Sequence, residues 1–166
     1  QLITYSCRLP PEVELLSLNA IVKQMAEKFT MLFGNSLARG DFRIDIQLEA
    51  HDALVMVDAQ QIETAVLRLL QWIHRRVGVG TLTIRTSNQI GKVRLCLMDD
   101  GPALREEEKQ QLFEPFQGID PEIPDLGLAL AHGIIRQAQG IIHVQTSSQG
   151  TELSIDLPLA STEAST

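Results

Sequence analysis

Apolar positions along this chain switch repeatedly between helical spacing and strict alternation. From Ser17 onward, Leu18, Ile21, Val22, Met25, Phe29, Leu32 and Phe33 recur every three or four residues. That spacing predicts a helix, and Gly34 with Asn35 marks its stop. FRIDIQL, residues 42–48, alternates apolar and polar side chains as a half-buried strand does, and ALVMV, 53–57, reads as a short second strand. Asp58 stands three residues before Gln61, the arrangement of an N-cap with its reciprocal partner. Ile62, Val66, Leu69, Leu70 and Ile73 then carry one apolar face through a helix ending near Arg76, terminated by Gly78 and Gly80. TLTIRT, 81–86, and KVRLCLM, 92–98, form a predicted hairpin. REEEKQQLF, 105–113, predicts a short helix, and Asp125 to Gln139 a longer one stopped by Gly140. IIHVQT, 141–146, and TELSIDL, 151–157, form the closing hairpin.

The predicted order is helix, two strands, helix, two strands, helices, two strands. Helices and strands do not alternate strictly, so the expected class is α+β. The expected architecture is a two-layer α/β sandwich, with a mixed sheet of about five strands and helices on one face. Pro10 and Pro11 break any helix entering from the first eight residues.

The 166 residues suffice for one domain with a sizeable core, and 44% of them are hydrophobic. A formal net charge of −7 disfavours a broad nucleic-acid or anionic-membrane surface, because both require clustered Lys and Arg. Apolar runs are too short to cross a bilayer and no signal peptide is visible, while the two cysteines without paired spacing read as those of a reducing cytoplasm, the expected location. The chain opens on Gln1 and is read as a fragment of a longer protein, whose whole could be membrane-anchored. Cys7 and Cys96 show no paired spacing, and Cys96 lies in the apolar run VRLCLM, as a buried free thiol does. No Cys/His cluster suggests zinc, and no Ser or Cys nucleophile motif is present.

Four segments then stand in a telling order. DAQQIETAVLRLLQWI, 58–73, has the apolar pattern of an N-box helix, and MDDGPAL, 98–104, is similar to a first glycine box, commonly DxGxG. LFEPF, 112–116, resembles an F-box. LGLALAHGIIRQAQGIIHVQTSSQGTELSIDLP, 126–158, resembles the end of a second glycine box with its helix and closing hairpin. Together they resemble the ATP-binding domain of sensor histidine kinases, in the GHKL superfamily with its Bergerat fold. The resemblance implies an ATPase-like domain over 14–158. It makes residues 1–9 the end of a dimerisation helix or a linker, and 159–166 a frayed polar tail.

What the resemblance implies for the site is specific. Asp99 matches the carboxylate that accepts from the adenine amino group, where a donor side chain would meet another donor. A carboxylate there also suits an Asx-type turn. Gly101 matches the first glycine, while Ala103 stands where the second belongs. The Mg²⁺-binding Asn of the N-box falls on Trp72 and the earlier Asn on Arg68. An indole offers one N–H and no oxygen, whereas Mg²⁺ takes hard oxygen ligands. Gln71 has an amide oxygen, rotated about 100° around the helix. Arg68 and Trp72, four apart, share a helix face. Two readings stay open: Arg68 meets phosphates directly, or Arg68 and Trp72 stack or pack and close the cleft. Arg75 matches a family Lys, and His74, Arg75 and Arg76 suit either contact with phosphates or a helix C-terminus that favours cations. Ile123 and Asp125 replace glycines of the second box, leaving Gly127, and Pro121 and Pro124 stiffen the segment where a mobile lid is usual.

The expected function follows: a histidine-kinase-like ATP-binding domain of a two-component signalling protein, a pseudokinase with weak or absent Mg·ATP binding that acts by protein contacts. Two alternatives remain open. One is an active kinase domain phosphorylating a His upstream, and the other is a phosphotransfer protein on a degenerate kinase fold. ATP or ADP is the expected cofactor, bound weakly and without normal Mg²⁺ coordination, and no catalytic or metal-ligating residue is assigned. Expected partners are the protein's own dimerisation and phosphoacceptor region and a response-regulator receiver domain, with no nucleic acid and no membrane contact by this segment.

Overall fold

The computed structural model describes residues 12–34, 40–106, 109 and 126–160. Ser17 takes extended backbone and its hydroxyl accepts from the Ala20 N–H at 3.3 Å, which starts helix α1, Leu18–Leu32. Leu18, Ile21, Val22, Met25, Ala26 and Phe29 form its buried stripe. Leu32, expected on that stripe, is 57% exposed and lies off it. Strand β1, Val13–Ser17, lies just before α1, and the periodicity did not predict it. VELLS does not alternate cleanly. Its strand character comes from pairing antiparallel with β3, Leu54–Asp58, which is remote in sequence.

Asp58 caps the central helix α2, Ala59–Val77: its carboxylate accepts from the Gln61 N–H at 3.1 Å. Backbone N–H groups of Glu12 and Gln61 hold the Asp58 carboxyl below the usual carboxylate range. Ile62, Ala65, Val66, Leu69, Leu70, Trp72 and Ile73 are buried along α2. At the other end Gly78 takes φ +73, and its N–H reaches the His74 carbonyl at 2.9 Å. A left-handed cap of this kind costs glycine nothing and other residues about a kcal/mol.

The main sheet runs in the order β2-β4-β5-β7-β6. Its strands are β2, Phe42–Leu48; β4, Gly80–Gln89; β5, Lys92–Asp99; β6, Ile141–Ser147; and β7, Gly150–Pro158. β2 pairs parallel with β4, and the other pairs are antiparallel, so the sheet is mixed as expected. Both predicted hairpins are present. Leu82, Ile84, Leu95, Leu97, Leu153 and Ile155 point to one face and are almost fully buried. Each such side chain contributes roughly 1.5–3 kcal/mol by leaving water. α2 packs on α1 and on helix α3, Leu126–Gln137, to cover that face. The helices therefore form one layer, and the architecture is the two-layer sandwich the pattern implied.

α3 stops two residues short of the expected Gln139. Gln139 itself takes the left-handed φ of 65, and the Gly140 N–H closes back to the Ile135 carbonyl at 2.8 Å. The opposite face of the sheet is polar, as a one-sided antiparallel sheet allows. There Arg94 grips Asp156 through Nε–Oδ1 at 2.7 Å and Nη2–Oδ2 at 2.9 Å, which pulls that carboxyl below its ordinary range. Cys96 is buried on this face and free, and burial pushes its thiol up. Leu159 and Ala160 stay tied to the body through bonds to the Gly91 and Leu54 carbonyls. The predicted helix at 105–113 falls largely outside the described residues, as do the F-box-like LFEPF and the segment 117–125.

Candidate functional site

Asp99 is the last residue of β5, and its side chain faces the helix layer. It stands between Leu82 on β4 and Thr151 on β7. The chain turns sharply after it. Gly101 donates its N–H to Asp99 Oδ1 at 2.9 Å, and Asp100 Oδ1 accepts from the Thr81 N–H at 2.9 Å. The Asx-type turn is thus real. A Cβ on Gly101 would lie 2.9 Å from Val77 Cγ2, so only glycine lets the loop approach the end of α2 this closely. Gly150 abuts the Asp99 backbone carbonyl in the same way from β7. Leu104 donates to Thr146 Oγ1 at 2.8 Å, and that hydroxyl meets Thr151 Oγ1 at 3.0 Å, fixing the loop after the glycine box to the closing hairpin.

α2 brings its last turn directly onto Asp99. Arg76 Nη2 donates to both Asp99 oxygens, at 2.9 and 3.0 Å, and Nη1 donates to the Pro102 carbonyl at 2.7 Å. The pair is sequestered: the Arg76 side chain is 15% exposed and that of Asp99 only 1%. The guanidinium carbon sits 5.3 Å from the Trp72 ring centroid, a cation–π distance. Arg76 Nε is buried with no hydrogen-bond partner. A buried, hydrogen-bonded ion pair of this kind is costly to break from one side, because the remaining charge has no water to turn to.

The sequence-derived candidates divide into two groups. Asp99, Gly101 and Trp72 converge around Arg76, with Trp72 buried in the core at 9% exposure. Arg68 and Arg75 lie on the exposed side of α2, and Gly127 sits in the first turn of α3. Arg76, read from sequence as a helix-terminal cation or a phosphate contact, is the residue that reaches the carboxylate. Its signal was present: Trp72 and Arg76 are also four apart, so the face shared by Arg68 and Trp72 continues to Arg76.

Of Arg68, Gln71, Trp72, Arg75 and Arg76 in the last turns of α2, Gln71 alone carries a side-chain oxygen acceptor. Among the described residues no cluster of three or more His, Cys, Asp or Glu is placed to hold a metal ion. An open depression of about 270 Å³ beside Asp99 is lined by Met98, Thr146, Gly150, Thr151 and Glu152 among others, with no Lys or Arg in its wall. No helix among the described residues is long and apolar enough to cross a membrane.

Comparison with known proteins fits this geometry. The family model described as histidine kinase-, DNA gyrase B- and HSP90-like ATPase matches residues 57–161, more than half of the chain. The chain belongs to this family. It is 25% identical over 142 residues to the C4-dicarboxylate transport sensor protein DctB of Rhizobium meliloti, covering 84% of the chain and 23% of that protein. It is 25% identical over 151 residues to sporulation kinase B of Bacillus subtilis, covering 89% of the chain and 34% of that protein. The chain thus spans about a quarter to a third of these relatives. Among solved structures, the catalytic domain of histidine kinase ThkA superposes with a TM-score of 0.73 at 23% identity, covering 89% of the chain and 95% of that domain. Full-length ShkA gives 0.76 at 18% identity, covering 92% of the chain and 32% of that protein. At these identities the structural likeness speaks for the fold.

Proposed function

We propose that this domain is the nucleotide-binding module of a two-component sensor protein in which Mg·ATP binding is weak, and that it acts chiefly through contacts with other protein domains. The observation that carries the reading is Trp72. It fills the place that the family resemblance gives to the Mg²⁺-binding Asn, it is buried in the core, and it has no oxygen to offer. Ala103 in place of glycine and Asp125 in the second glycine box argue the same way, the latter by setting a negative charge where backbone N–H groups would meet phosphate. A lost metal contact and an added like charge each weaken binding by about 1–3 kcal/mol. Together they amount to about 30-fold to 10⁴-fold in affinity.

The relatives support the signalling context: they are named as sensor proteins and kinases, and ThkA has been solved with the response regulator TrrA. ShkA was solved with AMPPNP, which supports the fold as a nucleotide cradle. We assign the upstream dimerisation and phosphoacceptor region and a receiver domain as the partners of this module, and residues 14–158 as its extent.

Mn²⁺ in place of Mg²⁺ gives a direct test. With ATP at millimolar concentration, water-proton relaxation should rise no further on adding protein than Mn·ATP alone produces, and Trp72→Asn should increase it. Strong enhancement with the unaltered protein would show that a metal–nucleotide–protein complex forms and would remove the basis of this reading.

A further inference from the structure

We infer that Arg76 is the internal occupant of the adenine-recognition carboxylate, so that helix α2 holds the nucleotide site closed and adenine reaches Asp99 only when this pair opens. The inference rests on the placement of Asp99 at the adenine edge. A carboxylate offers about four acceptor positions. Arg76 Nη2 engages both oxygens of Asp99, and the Gly101 N–H takes a further position on Oδ1. What remains is inaccessible, since the Asp99 side chain is 1% exposed.

The same guanidinium is anchored on two more sides. Nη1 binds the Pro102 carbonyl, which fixes the loop of the glycine box, and the Trp72 ring lies against the cation. The substitution that takes an oxygen ligand from the metal position therefore also supplies the surface on which Arg76 rests. An exocyclic amine entering from solvent presents N–H donors to a carboxylate whose lone pairs already face the donors of Arg76, so the two compete for the same atoms. One weak point is built in: Arg76 Nε is buried without a partner, so the closed arrangement leaves a donor unsatisfied and is open to displacement.

Adenosine is the suitable probe, because it carries no phosphate and needs no metal. Arg76→Met keeps an apolar stem over Trp72 and removes the cation. Calorimetric titration should show adenosine binding at least about tenfold tighter to Arg76→Met than to the unaltered chain. No gain in the variant overturns the occupancy of Asp99 by Arg76 and leaves weak Mg·ATP binding standing. A gain for adenosine together with a strict Mg²⁺ requirement for ATP in the variant supports the occupancy and overturns the metal-poor reading of Trp72. Should Arg76→Met fail to fold by circular dichroism, the unaltered chain decides: the Arg76 Nε–Hε resonance should shift in proportion to bound adenosine. Adenosine binding that leaves this resonance unmoved overturns the inference.

Discussion

Arg76 shows how a single side chain changes what a site can do. Its position in the last turn of α2 suits a cation at a helix C-terminus, and that electrostatic argument alone would leave it in water. Its contacts are instead decided by tertiary placement, because the end of β5 brings Asp99 within hydrogen-bond reach. His74, two residues earlier, faces the other way into an aromatic cluster, with ring centroids 4.9 Å from Phe33 and 4.8 Å from Phe42. Burial there lowers its pKa from the ordinary histidine value. Because the folded value is the lower one, the unfolded chain takes up the proton first as pH falls. The His74 contribution is therefore intact above about pH 6.5, declines as pH drops through that value, and levels off below the folded pKa. Thermal melting between pH 7.5 and 5.5 should show this decline, and His74→Leu should flatten it. Equal slopes for the two proteins would assign the pH dependence elsewhere, His132 being the next group, since burial and Arg136 lower it too.

Local signals define the elements unevenly. α2 was legible from end to end, since its Asp58 cap, its apolar stripe and its closing glycine all lie within twenty residues of one another in sequence. The two hairpins were legible for the same reason. β1 was not, because five residues without alternation become a strand only through β3, and that partner is remote in sequence. At the site, Asp99, Gly101 and Trp72 could be named from motif order. The Arg76–Asp99 contact could not, because it joins a helix end to a strand end 23 residues on. A second long-range contact secures the opposite end of the layers. Thr86 is fully buried on β4, donates to Asn19 Oδ1 on α1 at 2.7 Å and accepts from the Ala50 N–H at 3.2 Å. Thr86→Val keeps the volume and strands both partners, so it should cost about 1–3 kcal/mol in urea denaturation. Thr83→Val, on the outer face of the same strand, should change stability by less than about 0.5 kcal/mol. A similar loss at both positions would mean that the Thr86 network contributes nothing beyond side-chain packing.

The molecule as a whole keeps the scaffold of its family. A mixed sheet under three helices needs only hydrophobic patterning and caps, and these survive wide sequence change. Nucleotide chemistry depends on a few atoms: an open carboxylate, an oxygen ligand for the metal and glycine amides for phosphate. In this chain Arg76 holds the Asp99 carboxylate, and on the proposed reading Trp72 stands at the metal position. The measurement that bears most directly on the account is calorimetry of Mg·ATP binding to the unaltered chain at millimolar ligand. The expected dissociation constant is about a millimolar or weaker, about −4 kcal/mol, nearly unchanged when Mg²⁺ is replaced by EDTA. A micromolar constant that strictly requires Mg²⁺ would contradict it and make an active kinase domain the better reading.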